Sequence, residues 1–403
     1  MMFTLQGARV ILADDILETT VTVSDDRIVE IGGAVQGQVI DARNRTLAPA
    51  MIDVHGDAFE RQVMPRPGVY FPLDTAVIDT DRQLTSNGIA TAYHAVTLSW
   101  EPGLRDVTRG RDLINAFTRL APRLTAENRV QLRWETFAFD AIAVIEEALK
   151  GPLLPSIAFN DHTSMMMRGF DVPIQDRAFE FSPDFTIASL DDPRMAARTT
   201  AKTKRSGLSH EAYMALLRQV WAQRPDVPGK IAQVAALGRK AGAPMLSHDD
   251  TRAETREFFQ NHGAYIAEFP MVMEAALAAR QNGDPIIFGA PNATRGGSHI
   301  GSLAAADMIE EGLCDALASD YFYPAMLAAI TRLHHEMRAP LPQLWSLVSA
   351  GPARAMGLAD RGQIALGQRA DLVLLDWPDR GTPSVETTWV AGRTAYFGKP
   401  SSF

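Results

Sequence analysis

Between residues 50 and 320 the chain alternates two textures. Short runs of apolar and β-branched residues are separated by longer stretches in which apolar positions recur at helical spacing. The β-type runs are residues 50–55, 89–94, 131–135, 156–160, 244–248, 265–269, 286–289 and 316–320. The helical stretches include 106–120, 140–150, 209–222, 230–241, 271–282 and 302–311. Eight strands alternating with helices predict an α/β fold, a distorted (β/α)8 TIM barrel, with an open doubly wound sheet as the alternative. The two ends of the chain read differently. Residues 8–12, 19–23 and 27–31, and then 362–365, 371–376, 387–390 and 394–397, are short β-type runs broken by Asp, Ser, Gly and Pro. Neither end is long enough to bury a sheet alone. The expectation is one small β-sandwich domain built from residues 1–49 and 360–403, beside a barrel of residues 50–359. Residues 171–207 fit neither pattern and end in the basic run 201–205. They read either as a long loop over the barrel mouth or as a solvated surface excursion.

Composition narrows the functional classes. Of the 403 residues, 46% are hydrophobic and 22% charged, which suits a folded globular chain and excludes large-scale disorder. A net charge of −9 disfavours a general binder of nucleic acid or anionic membranes. It leaves room for a locally basic pocket that takes a small anionic substrate. The single cysteine, Cys314, excludes an intrachain disulfide and a cysteine metal site. The first 15 residues lack a secretory signal pattern, and no apolar run approaches the roughly 18 residues of a membrane span. The expectation is a cytoplasmic enzyme with a small-molecule substrate, no nucleic-acid or membrane partner, and room for a homo-oligomer.

In a (β/α)8 barrel the chemistry sits at the C-terminal ends of the strands. The first candidate strand runs into His55-Gly56-Asp57, where imidazole and carboxylate lie two residues apart and so on one side of an extended chain. That pair suits a divalent metal such as Zn²⁺ or Mn²⁺, although the same pattern also occurs as a plain polar strand end. The third strand ends in Glu135, the fourth leads to Asp161-His162, the fifth to His248-Asp249-Asp250, and the eighth ends in Asp320. Metal ligands converging from several strands account for this more economically than independent surface residues. Asp249 and Asp250 orient His248 or cap a helix, and Glu268 has a supporting position at the end of the sixth strand. His94 reads as a hydrogen-bonded core histidine, and Met165–Met167 as packing.

Two segments point to an anionic substrate. After the seventh strand come Asn292, Arg295, Gly296, Gly297, Ser298 and His299. Two glycines, an arginine and a serine before a helix make a phosphate cradle, or alternatively only a tight βα turn. Pro65-Arg66-Pro67-Gly68 presents Arg66 soon after the first strand, either to the substrate or to solvent.

Taken together, His55-Gly56-Asp57 with Pro65-Arg66-Pro67, Leu246-Ser247-His248-Asp249-Asp250, Ile266-Ala267-Glu268-Phe269-Pro270, Gly289-Ala290-Pro291-Asn292 with Arg295-Gly296-Gly297-Ser298-His299, and Ser319-Asp320-Tyr321 resemble the amidohydrolase superfamily. Within it the chain is similar to the PhnM family of phosphonate metabolism, the α-D-ribose 1-methylphosphonate 5-triphosphate diphosphatases. Asp360-Arg361-Gly362 and Gly367-Gln368-Arg369-Ala370-Asp371-Leu372-Val373 match the superfamily tail. The resemblance implies one or two divalent ions, Zn²⁺ before Mn²⁺, held by His55, Asp57, Glu135, His162, His248 and Asp320. Glu135 stands in for the carboxylated lysine that bridges two metals in many members, because no lysine falls at a strand end. Glu135, His162 and His248 fall one strand earlier than the usual superfamily order. Metal-activated water would cleave a phosphoanhydride, with Asp320 as general base. Arg295, Gly296, Gly297 and Ser298, with Arg66, Asn292 and His299, would meet the phosphates, and His299 is also placed to protonate the leaving group. Two departures bear on substrate identity. Thr136-Phe137-Ala138 stands where a histidine is usual, and Met165–Met167 stands in a segment usually rich in Gln and Gly. The competing readings are a hydrolase of a C–N bond in an amide or cyclic amide, and a non-catalytic paralogue.

Overall fold

The computed structural model describes residues 1–298 and 300–398. Eight parallel strands form the barrel: β6 (Met51–Gly56), β7 (Ile89–Leu98), β8 (Glu127–Glu135), β9 (Ser156–Asn160), β10 (Met245–His248), β11 (Ile266–Glu268), β12 (Ile286–Gly289) and β13 (Ala316–Ala318). Each hydrogen-bonds to its neighbour in chain order. The round closes where Gly56 bridges Asp320 in parallel. There the Asp320 N–H donates to His55 O at 2.9 Å and the Asp57 N–H to Asp320 O at 2.8 Å. Closure leaves no sheet edge, so the doubly wound alternative does not apply. All eight sequence-derived strands are found in place, with β7 and β8 longer than expected. No strand was missed: Glu135 ends the third barrel strand, His162 follows the fourth and His248 ends the fifth.

Side chains two apart on a strand share a face, and this rule builds the site. Val54, Ala158, Leu246, Ile266, Ile287 and Ala318 belong to the apolar cluster inside the barrel. Two residues beyond Ala158, Leu246, Ile266 and Ala318 lie Asn160, His248, Glu268 and Asp320. The apolar layer is thus followed, one pleat higher, by a polar one. On β6 the register with β7 slips between Asp53 and Gly56, and His55 joins the polar layer.

The chain ends form a second sheet from β1 (Met2–Ile11), β2 (Ile16–Ser24), β3 (Arg27–Ile31), β4 (Gln38–Asp41), β5 (Thr46–Pro49), β14 (Leu372–Asp376), β15 (Ser384–Val390) and β16 (Arg393–Phe397). Its order is β16-β15-β14-β5-β1-β2-β3, with β4 beside β1. The antiparallel β5–β14 pairing joins the two ends of the chain. The expected sandwich is thus one hydrogen-bonded sheet, in which β1 changes partner from β4 to β5 across Gly7. Gly7 has φ +79, and a Cβ there would strike the Arg43 side chain. Phe3, Leu5, Val21, Leu47, Leu372 and Trp389 fill its core.

At the end of the barrel away from the polar layer, Glu127 at the start of β8 takes Arg361 at 2.9 Å and Arg369 at 2.5 Å. Arg369 also holds Asp371 at 2.6 Å, next to β14. This charged knot ties the terminal sheet to the barrel.

Of the two readings of residues 171–207, the structure bears out the cover over the mouth. The segment ends in a helix, Arg194–Ser206, closed by Gly207 at φ 70. Lys202 and Arg205 bind Glu101, from the connection after β7, at 2.6 and 2.7 Å. Arg198 donates to Met166 O, from the connection after β9, at 2.9 Å. Among the described residues no helix is long and apolar enough to cross a membrane.

Candidate metal centre

His55, His248 and Glu268 meet at the centre of the barrel mouth, fully or almost fully buried. His55 Nδ1 lies 3.1 Å from Glu268 Oε1, and His248 Nε2 lies 3.7 Å from Glu268 Oε2. The atoms that face one another are left without hydrogen-bond partners: His55 Nδ1, His248 Nε2 and Glu268 Oε2. Three buried polar atoms unpaired at one point are costly in a closed protein interior. Two imidazoles and a carboxylate are the donor set of a divalent metal, so the residues present fit such an ion. Two further donor groups share these histidines: His162, His248 and Asp249 on one side, and His55, Asp57 and Asp320 on the other.

The supporting contacts orient the donors. Gln131 Nε2 donates to Glu268 Oε1 at 2.8 Å. Asp249 Oδ2 lies 3.0 Å from His248 Nδ1 and 3.8 Å from His162 Nε2. Glu135 Oε1 holds His162 Nδ1 at 2.5 Å, and Glu135 Oε2 accepts from the His162 N–H at 3.2 Å. Asp57 Oδ2 lies 3.4 Å from Arg105 and 3.5 Å from Arg133. Asp249, Phe269 and Asp320, each just beyond a strand, take left-handed backbone conformations at φ 60, 55 and 53. Such sparsely populated geometry gathers at functional sites.

Charge is strongly coupled across this cluster. Burial alone would push His55 down, but the Glu268 carboxylate reverses this and leaves its pKa raised. For His248 burial wins over Asp249 and its pKa is lowered. Burial works against ionisation of Glu135, yet His162 holds it down at about 2. Asp320 moves the other way, pushed up to about 6 by burial and then by the neighbouring Asp57.

Most of the sequence-derived ligands converge. His55, Asp57, His162, His248 and Asp320 all fall in the three donor groups. Glu135, expected as the bridge, holds His162 instead and belongs to none of these groups among the described residues. Glu268 occupies the place between two histidines. Its signal was its spacing, two residues after Ile266, as His248 follows Leu246. Arg133 was missed altogether, although Gln131, Arg133 and Glu135 alternate on β8 and so share the inward face. His94 is the core histidine expected, with Nε2 2.7 Å from Asn128 Oδ1.

Two cavities flank the centre. One, of about 180 Å³, touches His55, His248 and Asp320 and runs to Asn292, Arg295, Gly297 and Ser298. The glycine pair there does not open a helix. It closes one, Ala290–Arg295, with Gly296 at φ 84 as the left-handed cap. The next helix begins only at Ala305. The expected helix N-terminus at the cradle is therefore absent, because Arg-Gly-Gly serves as a stop signal. Asn292 spends its amide on Leu303 O and the Ala305 N–H. Arg66 stands exposed on its turn and lines neither cavity. His299 lies outside the described residues. The other cavity, of about 440 Å³, touches Glu135 and His162 and runs beneath the helix Arg194–Ser206. Arg105, Arg168, Arg198, Lys202 and Arg205 line it, against Glu101 and Glu135.

Comparison with known proteins agrees with the fold. Residues 194–396 match the family described as amidohydrolase. The chain is 32% identical over 371 residues to an α-D-ribose 1-methylphosphonate 5-triphosphate diphosphatase of Escherichia coli K12, covering 89% of this chain and 90% of that one. It is 26% identical over 375 residues to an adenine deaminase of Brucella suis, covering 92% of this chain but 53% of the deaminase. Among solved structures, an amidohydrolase from an environmental sample of the Sargasso Sea superposes with a TM-score of 0.64 at 16% identity, over 98% of this chain and 93% of that one.

Proposed function

The chain belongs to the amidohydrolase family, and on that premise we propose that it hydrolyses α-D-ribose 1-methylphosphonate 5-triphosphate, or a close phosphorylated relative, to the 5-phosphate and pyrophosphate. The observation that carries this reading is the 32% identity to a diphosphatase of that specificity across nine-tenths of both chains. Hydrolysis of a C–N bond is the second reading. The adenine deaminase likeness favours it, but at lower identity and over about half of that protein. The strongly cationic larger cavity suits a phosphorylated substrate better than a neutral amide.

The family is metal-dependent, and His55, His248 and Glu268 would hold the ion, with His162, Asp57 and Asp320 as further donors and Glu135 fixing His162. Imidazole and carboxylate donors suit Zn²⁺ first and Mn²⁺ second. A bound divalent ion lowers the pKa of its water toward about 7 and so supplies hydroxide at neutral pH. Asp320, its pKa pushed up to about 6 by burial, takes the proton of the attacking water. The water oxygen bonds to the phosphorus nearest the sugar. The bridging oxygen departs with pyrophosphate. Arg295, Gly297 and Ser298 meet the substrate from the glycine-loop side. The same donors and base argue against a non-catalytic paralogue.

The test is metal analysis of the purified protein together with pyrophosphate release from ribose triphosphates and their 1-phosphonates. Bound divalent metal with pyrophosphate release supports the reading. Bound metal with no pyrophosphate from any member of the panel refutes it and shifts attention to amides and cyclic amides.

A further inference from the structure

We propose that the polyphosphate end of the substrate lies in the larger cavity beneath the helix Arg194–Ser206, bound by Arg168, Arg198 and Lys202, while the sugar end points toward the glycine loop. This rests on the phosphoanhydride reading above and adds the substrate's direction in the site.

The argument begins with charge. The larger cavity has five cationic side chains against two carboxylates, on a chain whose net charge is −9. The smaller one has Arg133 and Arg295 against Asp249 and Asp320. A polyanion is favoured only on the first side.

Next comes pairing. Arg105 is bound to Glu60 at 2.7 Å, and Lys202 and Arg205 share Glu101. Arg168 and Arg198 differ. Arg168 donates to Met165 O at 2.8 Å and Val172 O at 2.9 Å. Arg198 donates to Met166 O at 2.9 Å and Arg168 O at 2.5 Å, and its guanidinium stacks 4.1 Å over the Phe170 ring. Among the described residues neither guanidinium is paired with a carboxylate. Both are half-buried, and both have their pKa lowered, by burial first and then by a neighbouring arginine. Two like charges gathered with no carboxylate in contact, Asp192 acting on Arg198 only from a distance, and each keeping unused N–H donors, make a phosphate site.

The helix then explains the placement. Arg198, Lys202 and Arg205 follow at spacings of four and three, so one face of the helix turns its cations into the cavity. The cavity also reaches Glu135 and His162, so a polyphosphate lying there abuts the metal centre. In this direction the departing pyrophosphate collects its charge among arginines, where it is most stabilised.

The experiment measures binding of inorganic pyrophosphate to the metal-loaded enzyme by calorimetry, in the parent and in Arg198→Gln, Lys202→Met, Arg198→Lys and Arg295→Ala. Arg198→Gln is expected to weaken binding tenfold or more, Lys202→Met severalfold, and Arg295→Ala less than twofold. Arg198→Lys should recover part of the loss. Lys202 ties the helix to Glu101 and Arg198 ties it to Met166 O, so Tm is read beside binding in both variants, and Arg198→Lys, which keeps the charge, separates lost charge from a loosened cover. Loss of pyrophosphate binding in Arg295→Ala with retention in Arg198→Gln and Lys202→Met overturns the inference, as does indifference of all four variants. Arg198-dependent binding supports it even if no ribose triphosphate is turned over. In that case it is the hydrolysis reading that falls.

Discussion

Replacing Asp320 by Asn isolates one proton. The backbone at residue 320 is left-handed, its N–H donates to His55 O, and its carbonyl accepts from the Asp57 N–H. Asparagine tolerates that conformation about as well as aspartate, so the barrel closure survives and only the charge is lost. A positioned general base contributes about 10²- to 10⁴-fold, or about 3 to 5 kcal/mol of transition-state stabilisation. The expected result for Asp320→Asn is a fall of that size in kcat/KM for pyrophosphate release, with metal content and Tm close to the parent. Asp320→Ala serves as the control for geometry. A left-handed alanine costs about 1 to 2 kcal/mol, so its Tm should fall below that of the Asn variant. Turnover of Asp320→Asn within tenfold of the parent, with metal retained, would refute the base assignment. Parallel loss of metal and turnover would show that Asp320 serves as a ligand.

Chelation should lower Tm, because an ion held by His55, His248 and Glu268 stabilises only the folded state; at free metal 100-fold above Kd the effect is about 2.7 kcal/mol. A scan in EDTA with Zn²⁺ or Mn²⁺ added back checks it, and a Tm indifferent to both sinks the metal assignment. Glu127→Gln should destabilise the fold by about 3 kcal/mol at neutral pH. Burial disfavours the Glu127 carboxylate, but Arg361 and Arg369 hold its pKa down from 4.5 to about 2. That stability is present above pH 4.5 and lost as pH falls through 2, so the variant should lack this part of the acid response in urea titrations. His94 runs the other way in charge but not in outcome. Burial lowers its pKa from 6.5 to about 4, so the unfolded chain binds the proton first and stability drops by about 2 kcal/mol between pH 7 and pH 5. A His94→Phe variant whose stability falls equally over that range would contradict this.

The donors were readable because barrel strands obey a strict rule: an apolar inward residue is followed two positions later by a residue at the mouth. His248 after Leu246 and Asp320 after Ala318 follow it, and so does Glu268 after Ile266. Glu268 was read as a supporting residue because a lone carboxylate at a strand end has no local mark of its partner. Its role comes from His55, whose position depends on a register slip in β6 that no local pattern announces. Arg133 was hidden differently. A cation in the inner layer looks misplaced until Asp57 is seen 3.5 Å away, and that neighbour comes from another strand. The glycine loop was legible and misread. Arg295-Gly296, with Pro291 at the helix start, is a stop signal that the phosphate reading inverted.

On the proposed reading the metal donors would account for an activated water, but not for what it attacks, since the same barrel serves many bonds. Selectivity has to come from the rim, and the rim is where local patterning is weakest. Residues 171–193 show no periodicity, and the helix after them is apolar on only a few positions, with Met195 and Thr199 buried. What fixes that helix is tertiary. Glu101, buried in the connection after β7, gathers Lys202, Arg205 and the Tyr213 hydroxyl within 2.7 Å. Once that carboxylate anchors the C-terminal half of the helix, Arg198 one turn earlier is carried over the mouth beside Arg168 with no acid in contact with either. The positive charge is the consequence of a satisfied anchor next to an unsatisfied pair, and it is the unsatisfied pair that gives the cavity its demand for a polyanion.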